Sequence, residues 1–345
     1  MQDDKIPIKE KPYNYPQDLS SPCTLRERPP NSEKLLLVKT SFATHTTLIP
    51  ATNETMASGK RVWLITGASS GLGQEIARAA LAHGDTVVAT ARDTKNLASL
   101  VSEGAIAEQL DVTSSDTILA ATVARIVERT GTIDMLVNNA GYLLTGGVEE
   151  VSRDEAEAQF ATNVFGQLNV IRAVLPVLRS QRLGVVANMG SIGGWVGMPA
   201  AGLYCASKAC SSLLSDSLRA EVAHLGIKVT VIEPGYFRTD LLGSGRRVRA
   251  GRRIEDLNPG TTGTHDALAA YHGHQPGDPR KAAELIVEAL TGTGRCVGRV
   301  LPPRLIIGSD AYRTATEVLD AQRQIMDEWR DLATATNYDD VAIKA

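Results

Sequence analysis

Arg61-Val62-Trp63-Leu64-Ile65-Thr66-Gly67-Ala68-Ser69-Ser70-Gly71-Leu72-Gly73 is the stretch on which the fold turns. Its first half is a compact run of aliphatic, aromatic and β-branched residues, which reads as a strand. Its second half carries three glycines, and past them Ile76, Ala80 and Leu81 step at helical intervals. Strand, Gly-rich turn and helix in that order put backbone amides and a helix N-terminus where a phosphate can be held. The glycine spacing is GxxxGxG rather than GxGxxG. Three glycines also suit an ordinary tight turn, so the stretch alone leaves both readings open.

The same alternation continues outward. Apolar runs at Arg61–Thr66, Thr86–Ala91, Ala105–Leu110, Ile133–Asn138, Val185–Met189, Lys228–Glu233 and Arg304–Ile307 read as about seven strands. Most are continuous rather than alternating, as strands buried on both faces are. Helical spacing fills the gaps: Phe160, Val164, Leu168, Ile171, Leu175 and Leu178 form one face, and Leu214, Leu218, Val222 and Leu225 another. Strands alternating with helices predict an α/β fold, a Rossmann-type doubly wound parallel sheet with helices on both faces, in a single domain over 58–345. Residues 1–57 are rich in proline and polar residues with little apolar periodicity, and are expected to form a disordered extension. Met56 would equally serve as an alternative start. The Gly/Arg-rich stretch 243–263 reads as irregular, and about 241–275 as a substrate lid.

Composition limits the function classes. Of 345 residues, 43% are hydrophobic and 22% charged, a balance that excludes disorder over most of the chain. The formal charge is −3 with no long basic run, which argues against a nucleic-acid partner. No apolar stretch reaches the length of a membrane span. Cys23, Cys205, Cys210 and Cys296 make no CxxC pair, and the expectation is a reduced, cytoplasmic setting. His265, His272 and His274 lack metal-ligand spacing and read as surface residues, so no metal site is expected.

Two further groups carry chemistry. Asn138-Asn139-Ala140-Gly141 closes the fourth strand, either as an Asn-Gly turn or as small residues beside a ligand. Tyr204 and Lys208 are four apart at the start of a helical pattern and share a face. Tyrosine ionises near ~10, so at neutral pH it is a poor base unless a neighbouring cation stabilises the phenolate. Ser191 lies upstream at the end of a strand, where open α/β sheets bind ligands, and its hydroxyl can donate to a carbonyl oxygen.

Taken in order, these motifs resemble the short-chain dehydrogenase/reductase family, in its shorter-core branch, over about residues 60–340. A tail carrying Gln275-Pro276-Gly277-Asp278-Pro279 and Leu305-Ile306-Ile307-Gly308-Ser309-Asp310-Ala311 resembles a ketoreductase-like subgroup. The resemblance implies catalytic Ser191, Tyr204 and Lys208, with Asn163 completing a proton relay. It implies cofactor contacts at Gly67, Ser69, Ser70, Gly71, Leu72, Asn139, Tyr204 and Lys208, at Asp111 and Val112 beside adenine, and at Pro234 and Thr239 near nicotinamide. The implied reaction is hydride transfer between a nicotinamide and a carbonyl or secondary alcohol, by a homodimer or homotetramer. A dinucleotide-sensing protein without turnover, and a dehydratase or epimerase on the same fold, are the alternatives.

Cofactor choice turns on the end of the second strand. Family members that select NAD place an acid there; this chain has Ala91, followed by Arg92, whose guanidinium suits a 2′-phosphate. Asp93 stands near the spacing of a ribose-binding acid but also suits a helix N-cap before Thr94. NADP(H) is therefore expected over NAD(H). Trp195, Val196, Met198, Pro199, Tyr236 and Phe237 are candidate walls of an apolar substrate pocket, or ordinary packing. Arg246, Arg247, Arg249, Arg252 and Arg253 read as a solvated basic face, or as a site for an acidic substrate group.

Overall fold

Val62 and Leu64 point to one side of the first strand and Trp63 and Ile65 to the other, and all four are buried. The same holds along the neighbouring strands, where Val87 and Ala89 oppose Val88, and Met135 and Val137 oppose Leu136. Such strands can be covered only by helices on both faces. The computed structural model describes residues 59–243 and 246–338; the expected extension at 1–57 lies outside them.

The strands are β1 (Val62–Ile65), β2 (Thr86–Ala91), β3 (Ile106–Gln109), β4 (Met135–Asn138), β5 (Leu143–Thr145), β6 (Gly184–Met189), β7 (Ile227–Pro234), β8 (Arg247–Arg249) and β9 (Arg304–Ile307). The helices are α1 (Gly71–Ala82), α2 (Ala98–Ser102), α3 (Asp116–Thr130), α4 (Arg153–Phe160), α5 (Gly166–Gln181), α6 (Gly202–Val222), α7 (Asn258–Tyr271), α8 (Pro279–Thr291), α9 (Ser309–Glu328) and α10 (Arg330–Thr334). Seven strands form one parallel sheet in the order β3-β2-β1-β4-β6-β7-β9. Trp63 sits opposite Val87 of β2 and Met135 of β4, so chain order reverses beside β1, where open α/β sheets form their binding crevice.

Each face has its own core. α1 contributes Ile76, Ala77 and Ala80, and α8 contributes Ala283, Ile286 and Leu290, to the side that holds Trp63 and Ile65. Leu119, Val123 and Ile126 of α3, with Val170, Val174 and Leu178 of α5, cover the side that holds Val62 and Leu64. Local sequence sets the helix ends. Ser152 and Glu155 form a reciprocal capping box for α4. Asp278 caps α8 with Pro279 as its first residue, and Gly292 closes it in the left-handed region.

Two expectations fail in the same region. The stretch 243–263, expected to be irregular, contains β8, a short 3₁₀ turn (Glu255–Leu257) and the start of α7. β8 pairs in parallel with β5, Leu143 opposite Arg247 and Thr145 opposite Arg249, forming a small sheet of its own. Strands of three residues are too short to show a period. His265, expected at the surface, is buried, because α7 sets Thr261, His265 and Leu268 along its inner face.

Candidate active site

The Gly-rich turn is held open by an amide. Asn139 Nδ2 donates to the carbonyls of Thr66 and Gly67, each at 3.0 Å, and Thr66 Oγ1 accepts from the backbone N–H of Asn139 (3.0 Å) and Ala140 (3.1 Å). The end of β4 is thereby fastened to the end of β1. The approach requires glycine: Gly67 has φ +61°, and a Cβ there would lie 2.9 Å from Ala140 Cα. A Cβ on Gly73 would meet Asn139 Nδ2 at 2.2 Å. Gly67, Ser70, Gly71, Leu72, Asn139, Tyr204, Lys208, Pro234 and Thr239 line one cavity of about 110 Å³ at the C-terminal ends of the strands.

Tyr204 and Lys208 stand one turn apart on α6, both buried. Ser191 follows β6 and caps a short 3₁₀ turn, its Oγ accepting from Gly193 N at 3.0 Å. A Cβ on Gly193 would reach Tyr204 Cε1 at 3.4 Å and Ser191 Oγ at 3.5 Å, so the two hydroxyl-bearing side chains converge there. Burial pushes the Tyr204 phenol up to about 12, against a hydrogen bond with Ser191 that favours the phenolate. The Lys208 ammonium donates to Met189 O at 2.7 Å and lies over the Tyr204 ring, 5.8 Å from its centroid. Burial lowers its pKa to about 8. The expected lowering of the phenol by Lys208 is therefore not seen in this structure: desolvation sets the direction of the shift, and the ammonium is engaged by a carbonyl.

Asn163 is fully buried in a π-helical turn (Ala161–Phe165) between α4 and α5. Its Oδ1 accepts from Tyr142 N, and its Nδ2 donates to Tyr142 O and Ser207 Oγ, all at 3.1 Å. A Cβ on Gly141 would come 3.0 Å from Asn163 Oδ1 and 3.8 Å from Lys208 Nζ, so these two groups flank Gly141. Asn163, Ser191, Ser69, Arg92, Asp111 and Val112 do not line the cavity itself. Arg92 is exposed at the end of β2, and Asp93 accepts from Lys95 N at 2.9 Å, capping the turn that follows. Asp111 Oδ1 accepts from Thr113 N and Thr113 Oγ1, while Val112 is buried against Gly166. Thr239 caps the turn Asp240–Leu242 beside Gly71.

Residues 61–249 match the family model described as short chain dehydrogenase. The chain belongs to the short-chain dehydrogenase family. It is 37% identical to oxidoreductase BOA17 of Botryotinia fuckeliana over 80% of this chain and 99% of that one. Among solved structures it resembles a short-chain dehydrogenase from Streptomyces avermitilis, with 38% identity, a TM-score of 0.74, and coverage of 82% of this chain and all of that one. It also resembles ElxO with NADP bound, at 25% identity and a TM-score of 0.59, over 74% of this chain and all of ElxO. The protein is accordingly an oxidoreductase of this family.

Several parts of this dehydrogenase site have no local sequence signal. Gln159 accepts from Leu144 N and donates to Tyr142 O, so with Asn163 it satisfies the backbone beside β5. Asp310 accepts from Tyr236 N at 2.7 Å and fills the space beside Gly235, where a Cβ would lie 2.2 Å from its Oδ1. Gly277 lies against the Phe237 ring, so the Pro-Gly segment of the tail has a packing role. Trp195 donates to the buried Glu233 at 2.7 Å and packs with Ile192 and Ala311, away from the cavity. Met198 and Tyr236, in contrast, join Leu143, Leu242 and Leu268 in the apolar cluster around Tyr204. Arg246, read from sequence as solvated, donates instead to Ser69 and Ser70.

Asn139→Ala removes the tie between β4 and the Gly-rich turn and strands two carbonyls. The expected loss is about 1–3 kcal/mol of stability, the scale of an unsatisfied buried polar group. Urea denaturation of the variant against the parent measures it, with the curve's slope unchanged.

Proposed function

We propose that the protein interconverts a carbonyl and a secondary alcohol with NADP(H), Tyr204 being the proton donor and acceptor. The observation that carries this reading is the buried Tyr204–Lys208 pair on one face of α6, with Ser191 converging on the phenol beneath the Gly-rich turn. A nicotinamide dinucleotide, when bound, supplies or accepts the hydride. Gly67, Ser69, Ser70, Gly71 and Leu72 would hold its phosphates, Asp111 and Val112 its adenine, and Asn139, Pro234 and Thr239 its nicotinamide end. The cavity that Gly67, Ser70, Gly71, Leu72, Asn139, Pro234 and Thr239 line together supports that fit.

In the reducing direction Ser191 Oγ orients the carbonyl oxygen and the Tyr204 hydroxyl gives it a proton. Lys208, anchored on Met189 O, faces the resulting phenolate with a positive charge. Asn163 fixes Tyr142 and flanks Lys208 across Gly141, which supports its place on the path that returns the proton. The segment 241–275 would cover the substrate, and the apolar cluster of Leu143, Met198, Tyr236 and Leu268 favours a substrate with an apolar body.

The preference for NADP(H) rests on charge. Ala91 ends β2 without an acid, and Asp93 is occupied as a cap, which leaves Arg92 as the charged residue at that strand end to meet a 2′-phosphate. Phe165, beside α5, and Leu213, on α6, are large apolar residues left exposed, consistent with homo-oligomeric pairing of these helices. A dimer or tetramer mass by light scattering is the expected result, and a monomer at all concentrations contradicts it.

Tyr204→Phe should bind cofactor normally and lose about 10²-fold or more in turnover, the scale of a general acid. A variant with parental turnover would remove Tyr204 from the chemistry. Because burial holds the phenol near about 12, carbonyl reduction should stay level through neutral pH. Alcohol oxidation needs the phenolate and should rise about tenfold per pH unit there. Arg92→Ala should weaken NADPH by about 1–3 kcal/mol, the scale of a charge-assisted bond, and leave NADH nearly unchanged. Equal loss of both cofactors, by fluorescence titration, would overturn the assignment.

A further inference from the structure

Of the arginines in the segment after β7, Arg252 and Arg253 have carboxylate partners. Arg253 lies 3.5 Å from the buried carboxylate of Glu150 and 3.2 Å from His265 Nε2, and Arg252 lies 3.7 Å from Glu149. These contacts tie the segment to the loop after β5. Arg246 differs. Its side-chain partners among the described residues are two neutral hydroxyls, Ser69 Oγ at 3.1 Å and Ser70 Oγ at 2.8 Å, both in the Gly-rich turn. Its backbone is fixed at the same time, because its carbonyl accepts from Leu143 N at 3.0 Å immediately before β8 joins β5.

That placement is electrostatically unfavourable as it stands. Arg246 is partly buried, and both desolvation and the charge of Arg92 act against its guanidinium, with Asp240 alone in support. One guanidinium and two hydroxyls thus meet at the N-terminus of α1, a helix of twelve residues whose first amides are also unsatisfied donors, and the charge of Arg92 is felt there. Groups of this kind, gathered without a bonded carboxylate, match a phosphate: it accepts from hydroxyls and amides and pairs in bidentate fashion with guanidinium.

We infer that Arg246 is a phosphate-binding residue of the dinucleotide site, brought to the Gly-rich turn from the far side of the cavity by the β5–β8 pairing. This rests on the dinucleotide reading given above. The phosphate is either the 2′-phosphate, shared with Arg92, or the diphosphate over the turn; the two have the same chemistry and different probes.

The test uses the full chain and reads binding rather than turnover. NADPH and NADH are titrated by fluorescence, and 2′,5′-ADP and ADP by calorimetry, against the parent, Arg246→Ala and Arg246→Lys. Arg246→Ala should weaken NADPH at least tenfold, and Arg246→Lys should recover part of that loss. Weakened 2′,5′-ADP with unchanged ADP and NADH assigns the 2′-phosphate, whereas weakening of NADPH, NADH and ADP, with 2′,5′-ADP (which has a single 5′-phosphate) affected least, assigns the diphosphate. If the alanine variant fails to fold, judged by circular dichroism, Arg246→Gln keeps a donor for the serines without the charge and carries the same test. Binding of all four probes within twofold of the parent by a folded variant overturns the inference. A parent protein that binds neither NADPH nor NADH overturns the dinucleotide reading instead.

Discussion

A parallel sheet covered on both faces can present polar groups only at the ends of its strands, and the position of the site follows from that restriction. Trp63, Leu64 and Ile65 are wholly buried, so β1 carries no polar side chain until Thr66. Asn138, Asn188 and Glu233 occupy the corresponding ends of β4, β6 and β7, all buried. A buried polar group without a partner is destabilising, and these residues find partners on a neighbouring strand, on α6 or in the turn after β6. Asn138 donates to Asn188, Asn188 to Ser215, and Ser212 and Trp195 both donate to Glu233. The strand ends form a connected polar layer on which α6, with Tyr204 and Lys208, is seated.

Backbone proximity in that layer comes from residues that lack side-chain bulk. Gly67, Gly73 and Gly141 each occupy a place where a Cβ would press on Ala140, Asn139 or Asn163. The side chains that fill the gaps then hold carbonyls and amides in fixed directions. Asn139 does this for the turn after β1, and Asn163 with Gln159 does it for the backbone around Tyr142. Asp310 does it from the far end of the chain, locking the turn after Pro234. Three segments distant in sequence are set against one cavity with few charged groups inside it.

What could be read from the sequence was whatever repeats locally. All seven strands of the main sheet coincide with the apolar runs to within about two residues, a margin usual for element ends. The i, i+4 relation of Tyr204 and Lys208 is a property of any helix, and the cap formed by Asp93 is local too. What was not legible depends on pairing across the chain. Arg247-Val248-Arg249 becomes a strand only because Leu143–Thr145 offers it an edge about a hundred residues earlier. Arg246 is drawn from solvent by the same pairing, and His265 is buried because α7 packs its face inward. Trp195 follows Ser191 directly, yet it turns to Glu233 on another strand. No spacing within the chain encodes those partners.

The two shifted groups on α6 have one cause and opposite directions. Desolvation disfavours charge, so it raises the Tyr204 phenol to about 12 and lowers the Lys208 amine to about 8. At neutral pH the phenol therefore keeps its proton, while Lys208 remains mostly charged and is held in place by Met189 O. A site in that state can give a proton without first acquiring one, which suits reduction of a carbonyl. In the proposed reverse reaction the phenol would have to give up a proton that burial holds, and the Ser191 hydrogen bond is what favours the phenolate. Geometry offers a way round the conflict: the ammonium is anchored over the ring, so in the proposed mechanism its charge would be in place for a phenolate without any side chain moving to meet it.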